Sequence, residues 1–331
     1  MHFEMTMLIA VFMLPAGLAV LVKGADFLVD GSVGLAERMG VSPMVIGLTI
    51  VAMGTSAPEV ASSIALALKA SGDGAVGNVY GSNIANLMLI GGVCAVIRPI
   101  LVKPDVIKRE MPIMVAAALL LYPVLKNMHL GRVESFLLLI IFTGTLYYTV
   151  VSGIKESKSK ALADSDLQAD AGKKQHSGRS LPVDTTFVVL GLICLALGAK
   201  MTVDSSVFLG RKAGLSEAVI GLTIIAIGTS LPELMTCVVA ALKGHDDLSI
   251  GNLVGSNIFN TLLVVGAAGV VRPFDIVDKG LVGFDYWVMI TFSAVFVAAA
   301  FVHKKIDRRW GTLFACAYFF YLFGKLLINR T

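Results

Sequence analysis

Glu59 and Glu233 each close a Gly-Thr-Ser-x-Pro-Glu run inside an apolar stretch, where a carboxylate is costly to place. The runs are Gly54-Thr55-Ser56-Ala57-Pro58-Glu59 and Gly228-Thr229-Ser230-Leu231-Pro232-Glu233. A second motif, Gly77-Asn-x-x-Gly-Ser82-Asn-Ile-x-Asn86, recurs from Gly251 to Asn260 with Ser256 in the place of Ser82. Carboxylate, hydroxyl, amide and carbonyl oxygens are hard ligands, and Ca2+ takes roughly six to eight of them at about 2.3–2.6 Å. Ser56 and Glu59 share a helical face, as do Ser82 and Asn86, Ser230 and Glu233, and Ser256 and Asn260. Soft metals would need Cys or His. Cys94, Cys194, Cys237 and Cys316 read as small apolar residues within apolar runs, and the five histidines lie outside those runs.

The elements that hold these motifs are membrane helices. The chain has 331 residues, 56% hydrophobic and 15% charged, against about 25% charge in a soluble domain. Ten apolar runs lie near 7–30, 43–68, 76–97, 109–126, 132–152, 183–210, 217–242, 250–271, 283–302 and 310–328. Alternating ten-residue strands, the mark of a barrel, are absent. The pattern predicts an all-α integral membrane protein. The first run lacks a positive leader and reads as a retained span. The net charge of +4 sits mainly between spans, which suits membrane topology rather than nucleic acid.

The chain repeats itself. Val45–Glu59 and Val219–Glu233 agree at twelve of fifteen positions, and the second motif and Arg98-Pro99 (Arg272-Pro273) follow at the same offset of 174. Five spans per half is an odd number, so the second copy enters the membrane from the opposite side. The expected organisation is a half of five spans over 1–152, a polar linker over 153–182 and a second half of five spans over 183–331. Placing the linker in the cytoplasm puts 16 Lys/Arg on that side and nine on the other, or ten against nine without the linker. The positive-inside rule then leaves both termini outside.

Both glutamates fall about 5–6 Å past the midpoints of their spans at the helical rise. Asn86 and Asn260 fall at the midpoints of theirs. A charge at that depth costs roughly 2.5–3.5 kcal/mol on insertion scales. No Lys or Arg lies at comparable depth in these four spans, so a bound cation is the natural compensation. A protonated, hydrogen-bonded glutamate is the alternative. Two acids at equivalent positions in matching polar motifs favour the cation. Proline removes an N–H and bends the helix, which should free carbonyls at Ala52 and Thr55, and at Ala226 and Thr229. Ser56, Ser82, Ser230 and Ser256 read as ligands or as support for them. Gly47, Gly81, Gly221 and Gly255 read as close-packing positions. Asp30, Asp73, Asp204 and Asp247 lie at span ends and read as caps or interface residues. Spans 1 and 6, long and free of central acids, are candidates for elements that slide past the site.

Gly54-Thr-Ser-Ala-Pro-Glu59 with Gly77-Asn-x-x-Gly-Ser-Asn-Ile-x-Asn86, both repeated, resembles the α-repeats of the calcium/cation antiporter superfamily. The most similar branch is the prokaryotic sodium/calcium exchangers. The resemblance spans both halves and implies ten transmembrane helices in two inverted five-helix repeats, with ion sites at the midplane. It implies Glu59 and Glu233 as central ligands shared by Na+ and Ca2+. Thr55, Ser56, Ser82, Thr229, Ser230 and Ser256 would complete the sites. Ala52 and Ala226 would lend carbonyls, and Asn86 and Asn260 would flank the centre. Some members carry Asp at one of these asparagines, so this centre holds two formal negative charges rather than three.

The expected activity is antiport of Na+ against Ca2+ by alternating access. Metal ions are the substrates, the bilayer is the surroundings, and neither a cofactor nor an enzymatic step is called for. The expected location is a prokaryotic inner membrane. A cation/proton exchanger of the same fold is the rival, and a passive cation channel is a more distant one. An intramembrane enzyme would need a Ser/Lys, Ser/His or zinc motif at depth, and none is present.

Overall fold

The computed structural model describes residues 6–167 and 180–328. The first half contains α1 (Met7–Met39), α2 (Pro43–Thr55), α3 (Ala57–Leu68), α4 (Gly72–Ile97), α5 (Met111–Leu125) and α6 (Arg132–Leu167). The second contains α7 (Leu181–Lys212), α8 (Thr223–Thr229), α9 (Leu231–Leu242), α10 (Asp246–Val271), α11 (Leu281–His303) and α12 (Arg308–Ile328). Among the described residues seven helices are long and apolar enough to cross a membrane, and α2/α3 and α8/α9 are two further spans bent in the middle. The tenth is α5, which reaches crossing length only with the π-helical turn Val106–Glu110 ahead of it. The spans make two five-helix repeats of opposite sense.

Helix α6 runs through Leu167, well past the expected start of the linker at 153. The segment Lys155–Leu167 is polar but holds three Lys, two Ala and two Leu, all good helix formers, so loss of hydrophobicity ends the membrane run but not the helix. Residues 168–179, which hold most of the remaining linker, lie outside the described residues.

The most buried spans are α4 and α10, which run through the centre of the bundle. The pseudo-two-fold relation appears in short antiparallel pairings between halves. Strand β1 (Ile100–Leu101) pairs with β4 (Lys305–Ile306), and β2 (His129–Leu130) with β3 (Phe274–Asp275). The repeated Arg-Pro pair has the same logic. Arg98 Nη1 donates to the Ala241 carbonyl at 3.3 Å, and Arg272 Nη1 to the Leu68 carbonyl at 2.5 Å. Each arginine thus caps the C-terminus of the other half's bent span, where carbonyls lack partners and cations are favoured.

Helices α1 and α7 lie against each other at glycines spaced by seven. A Cβ on Gly24 would stand 2.8 Å from Leu195 N, and one on Gly191 2.6 Å from Leu28 N. Gly17, Gly31 and Gly198 are equally crowded by the facing backbone. The pair is closed at one end by Arg38, whose Nε lies 2.5 Å from Oδ2 of the fully buried Asp184. Arg38→Met removes that cation from a buried carboxylate. The expected cost is about 3–5 kcal/mol, read as a lower midpoint of thermal unfolding in detergent, with most of it restored by Arg38→Lys. An unchanged midpoint would count against the pair as a fastening.

Candidate cation site

The break expected in each motif is present. The α2/α3 pair bends by 42° at Ser56 and the α8/α9 pair by 56° at Ser230. Glu59 and Glu233 lie in the first turns of α3 and α9, so the positive end of a helix dipole faces each carboxylate. The carbonyls behave less simply than expected. That of Ala52 is not freed: it accepts the Ser56 N–H at 3.0 Å, while the Thr55 hydroxyl, with one proton to give, lies nearer Asn252 Oδ1 at 3.2 Å than Ala52 O at 3.4 Å. Ser56 sits outside the helical region at φ −80° and ψ 2°, yet its i−4 bond survives the bend. In the second half the Ser230 N–H turns to Ile227 O at 3.1 Å, and Ala226 O accepts the Thr229 hydroxyl at 3.2 Å.

The two halves exchange partners. Ser56 donates to Oε1 of Glu233 at 3.4 Å rather than to Glu59, its neighbour on the same turn. The hydroxyls of Ser82 and Ser230 face the Glu59 carboxyl without closing a hydrogen bond on it. Glu59 is 0% exposed and Glu233 1%. Both oxygens of Glu59, Oε2 of Glu233, Oγ of Ser230 and Ser256 and the side-chain oxygens of Asn86 and Asn260 are buried without a hydrogen-bond partner. Buried polar atoms are normally satisfied, and this set, drawn from both halves, suits a cation. Among the described residues no group of three or more His, Cys, Asp or Glu is placed to hold a metal ion.

Asn86 and Asn260 sit on π-helical turns, Ala85–Ile90 and Asn260–Val264, in the middle of α4 and α10. Next to them Asn83 Nδ2 donates to Thr261 Oγ1 at 2.9 Å and so ties the two central spans together. Sequence reasoning gave no role to Asn78 and Asn252, the first asparagines of the second motif. Asn78 Nδ2 donates to Ser63 Oγ at 2.9 Å and reaches the Glu59 carbonyl at 3.4 Å. Asn252 Oδ1 accepts from Thr55 Oγ1 at 3.2 Å. Each pins a bent span next to its candidate ligands. Their recurrence at the 174-residue offset was the available signal.

The halves are alike in sequence but not in packing. On one side α2 lies directly on α10. A Cβ on Gly47 would stand 2.7 Å from Leu248 O, one on Gly251 2.7 Å from Met44 O and one on Gly255 2.8 Å from Ala52 Cβ. The equivalents on the other side are open: a Cβ on Gly81 meets nothing within 4 Å, and one on Gly77 meets only Leu281 Cδ2 at 3.7 Å. The surroundings of Gly221 lie outside the described residues. A cavity of about 380 Å³ fills that space, from Asp73 and Asp278 near the span ends down to Ala226 and Thr229. Ala52 and Thr55 are accordingly buried, whereas Ala226 and Thr229 are half-buried. The opposite end is held by Lys243, which pairs with Asp26 at 2.5 Å and Asp30 at 2.6 Å on α1.

The sequence profile described as "Sodium/calcium exchanger protein" matches residues 9–151 and 184–327, which is nearly all of both halves. The chain belongs to this exchanger family. It is 37% identical to the inner membrane protein YrbG of Escherichia coli (strain K12), over 88% of each chain. It is 32% identical to the sodium/calcium exchanger MaX1 of Methanosarcina acetivorans, over 92% of this chain and 95% of that one. Its fold superposes on the sodium-calcium exchanger NCX_Mj with a TM-score of 0.80 and 28% identity, covering 95% of this chain and 98% of that one. This exchanger-family chain is therefore a multi-pass membrane transporter and not an enzyme, and the family's ions are substrates rather than cofactors.

Proposed function

We infer that this chain exchanges Na+ for Ca2+ across a prokaryotic inner membrane by alternating access, with Glu59 and Glu233 as the central ligands. The observation that carries the reading is the set of buried, unpartnered oxygens contributed by both halves around two fully buried carboxylates. Two carboxylates balance one Ca2+ or about two Na+. Thr55, Ser56, Ser82, Thr229, Ser230 and Ser256 complete the coordination, and Asn86 and Asn260 flank it. Ala226 lends its carbonyl, and Ala52 lends the lone pair that its intrahelical bond leaves over. Either cargo neutralises the centre and lets it pass through a closed, dry state. An empty centre leaves two like charges facing each other and does not cross readily, so movement of one ion is tied to return of the other. The glycine-seamed pair α1/α7 is the element that slides, and the linker faces the cytoplasm.

The test is Ca2+ uptake into vesicles loaded with Na+, with and without a pH gradient. Uptake should need internal Na+ and ignore the pH gradient. Uptake driven by protons and indifferent to Na+ would assign Ca2+/H+ exchange instead. Ca2+ flux with no counter-ion on the other side would assign a channel.

A further inference from the structure

Asp285 is an acid that hydropathy alone does not single out, because it lies at the rim of an apolar run. It ends the π-helical turn Leu281–Asp285 at the start of α11 and is 2% exposed. Lys325 Nζ lies 2.6 Å from its Oδ2, and Tyr321 Oη donates to its Oδ1 at 2.9 Å; both partners come from α12. Glu110 ends the matching turn ahead of α5, but its cation is the adjacent Arg109, which also pairs with Glu156 on α6 at 3.4 Å. The halves therefore differ. Asp285, Tyr321 and Lys325 line the cavity that descends to Ala226 and Thr229, and the buried, unpartnered hydroxyl of Tyr80 lines it with them. Among the described lining residues Lys325 is the one cation, set against Asp73, Asp278 and Asp285.

The geometry points to Lys325 as a specificity-determining residue: clamped on Asp285, which Tyr321 also holds, its ammonium sets the potential along the cavity and so the balance between Ca2+ and Na+ arriving from this face. The inference rests on the antiport reading given above. A fixed charge beside a narrow, poorly screened passage changes the local free energy of an ion in proportion to that ion's valence. Whatever factor such a charge applies to Na+, it applies the square of that factor to Ca2+. Damage to packing has no such signature.

The test is the half-saturating concentration of each ion in reconstituted vesicles, measured from the face bearing Asp278 at fixed low ionic strength. Lys325→Gln leaves Asp285 uncompensated, and the half-saturating concentration should fall by about threefold for Na+ and about tenfold for Ca2+. Asp278→Asn should raise both in the same square relation, by less. Asp278 is exposed, and the asparagine keeps the oxygen that accepts the Gly280 N–H at 2.7 Å, so this variant carries the test if Lys325→Gln does not fold. High salt should shrink both shifts. Equal factors for the two ions, or a loss of maximal rate alone, would overturn the assignment. A wild-type protein without Na+-dependent Ca2+ flux would remove the antiport reading, and this inference with it, before any variant is compared.

Discussion

Glu59→Gln and Glu233→Gln should each abolish Na+-dependent Ca2+ uptake while leaving a folded protein. Glutamine keeps the size of the side chain and removes its charge. A Ca2+ ion at the centre then meets one carboxylate instead of two in a site sealed from water. Removing one partner from a buried ionic cluster costs about 3–5 kcal/mol, or roughly two to four powers of ten in affinity. The stability of the ion-free protein should move the other way or not at all. Both carboxylates are buried, and three of their four oxygens have no hydrogen-bond partner, so each substitution removes a buried charge that nothing in the ion-free protein compensates. Thermal unfolding in detergent separates the two effects. Wild type should gain stability with added Ca2+, because a ligand that binds only the folded state raises its midpoint. Either variant should start at the wild-type midpoint or above it and gain nothing from Ca2+. Full exchange by either variant would refute the role given to its glutamate.

Gly81→Val should also stop exchange, by a different route. In this structure a Cβ at Gly81 meets open space, so the protein should fold with an unchanged midpoint and should still be stabilised by Ca2+. The pseudo-two-fold relation identifies the contact that valine would block. Gly81 corresponds to Gly255, and Ala226 to Ala52, at the 174-residue offset. Gly255 and Ala52 are already in contact, with room for no Cβ beyond 2.8 Å. When the open face closes, Gly81 must meet Ala226 in the same way. Overpacking at that contact costs about 3 kcal/mol at the upper end of the usual range, which lowers the population of the other state about a hundredfold. Gly255→Val makes the control, since it strains the contact that already exists and should lower the unfolding midpoint. Wild-type exchange by Gly81→Val would show that the two faces do not close by equivalent contacts.

Much of this protein was legible as a string. The ten spans follow from apolar runs, because a bilayer core rewards an unbroken apolar run of sufficient length. The inversion follows from an odd number of spans per repeat. The depth of Glu59 and Glu233 follows from counting residues along a helix of fixed rise. These are local or periodic properties, which a chain displays without being folded.

What the string does not carry are choices between equivalents. Ser56 is three residues from Glu59 and 177 from Glu233, yet its hydroxyl goes to Glu233. Arg98 and Arg272 each reach into the other half. Asp285 finds its cation 40 residues away on the next span. The repeats share nearly the same motif, so the sequence treats the two faces of the membrane alike, whereas packing closes one over Gly47, Gly251 and Gly255 and leaves the other open at Gly77 and Gly81. Local pattern decides which residues lie at depth. Only contact between distant helices decides which oxygens meet and which face admits an ion, because the two halves carry the same motifs and packing alone tells the faces apart.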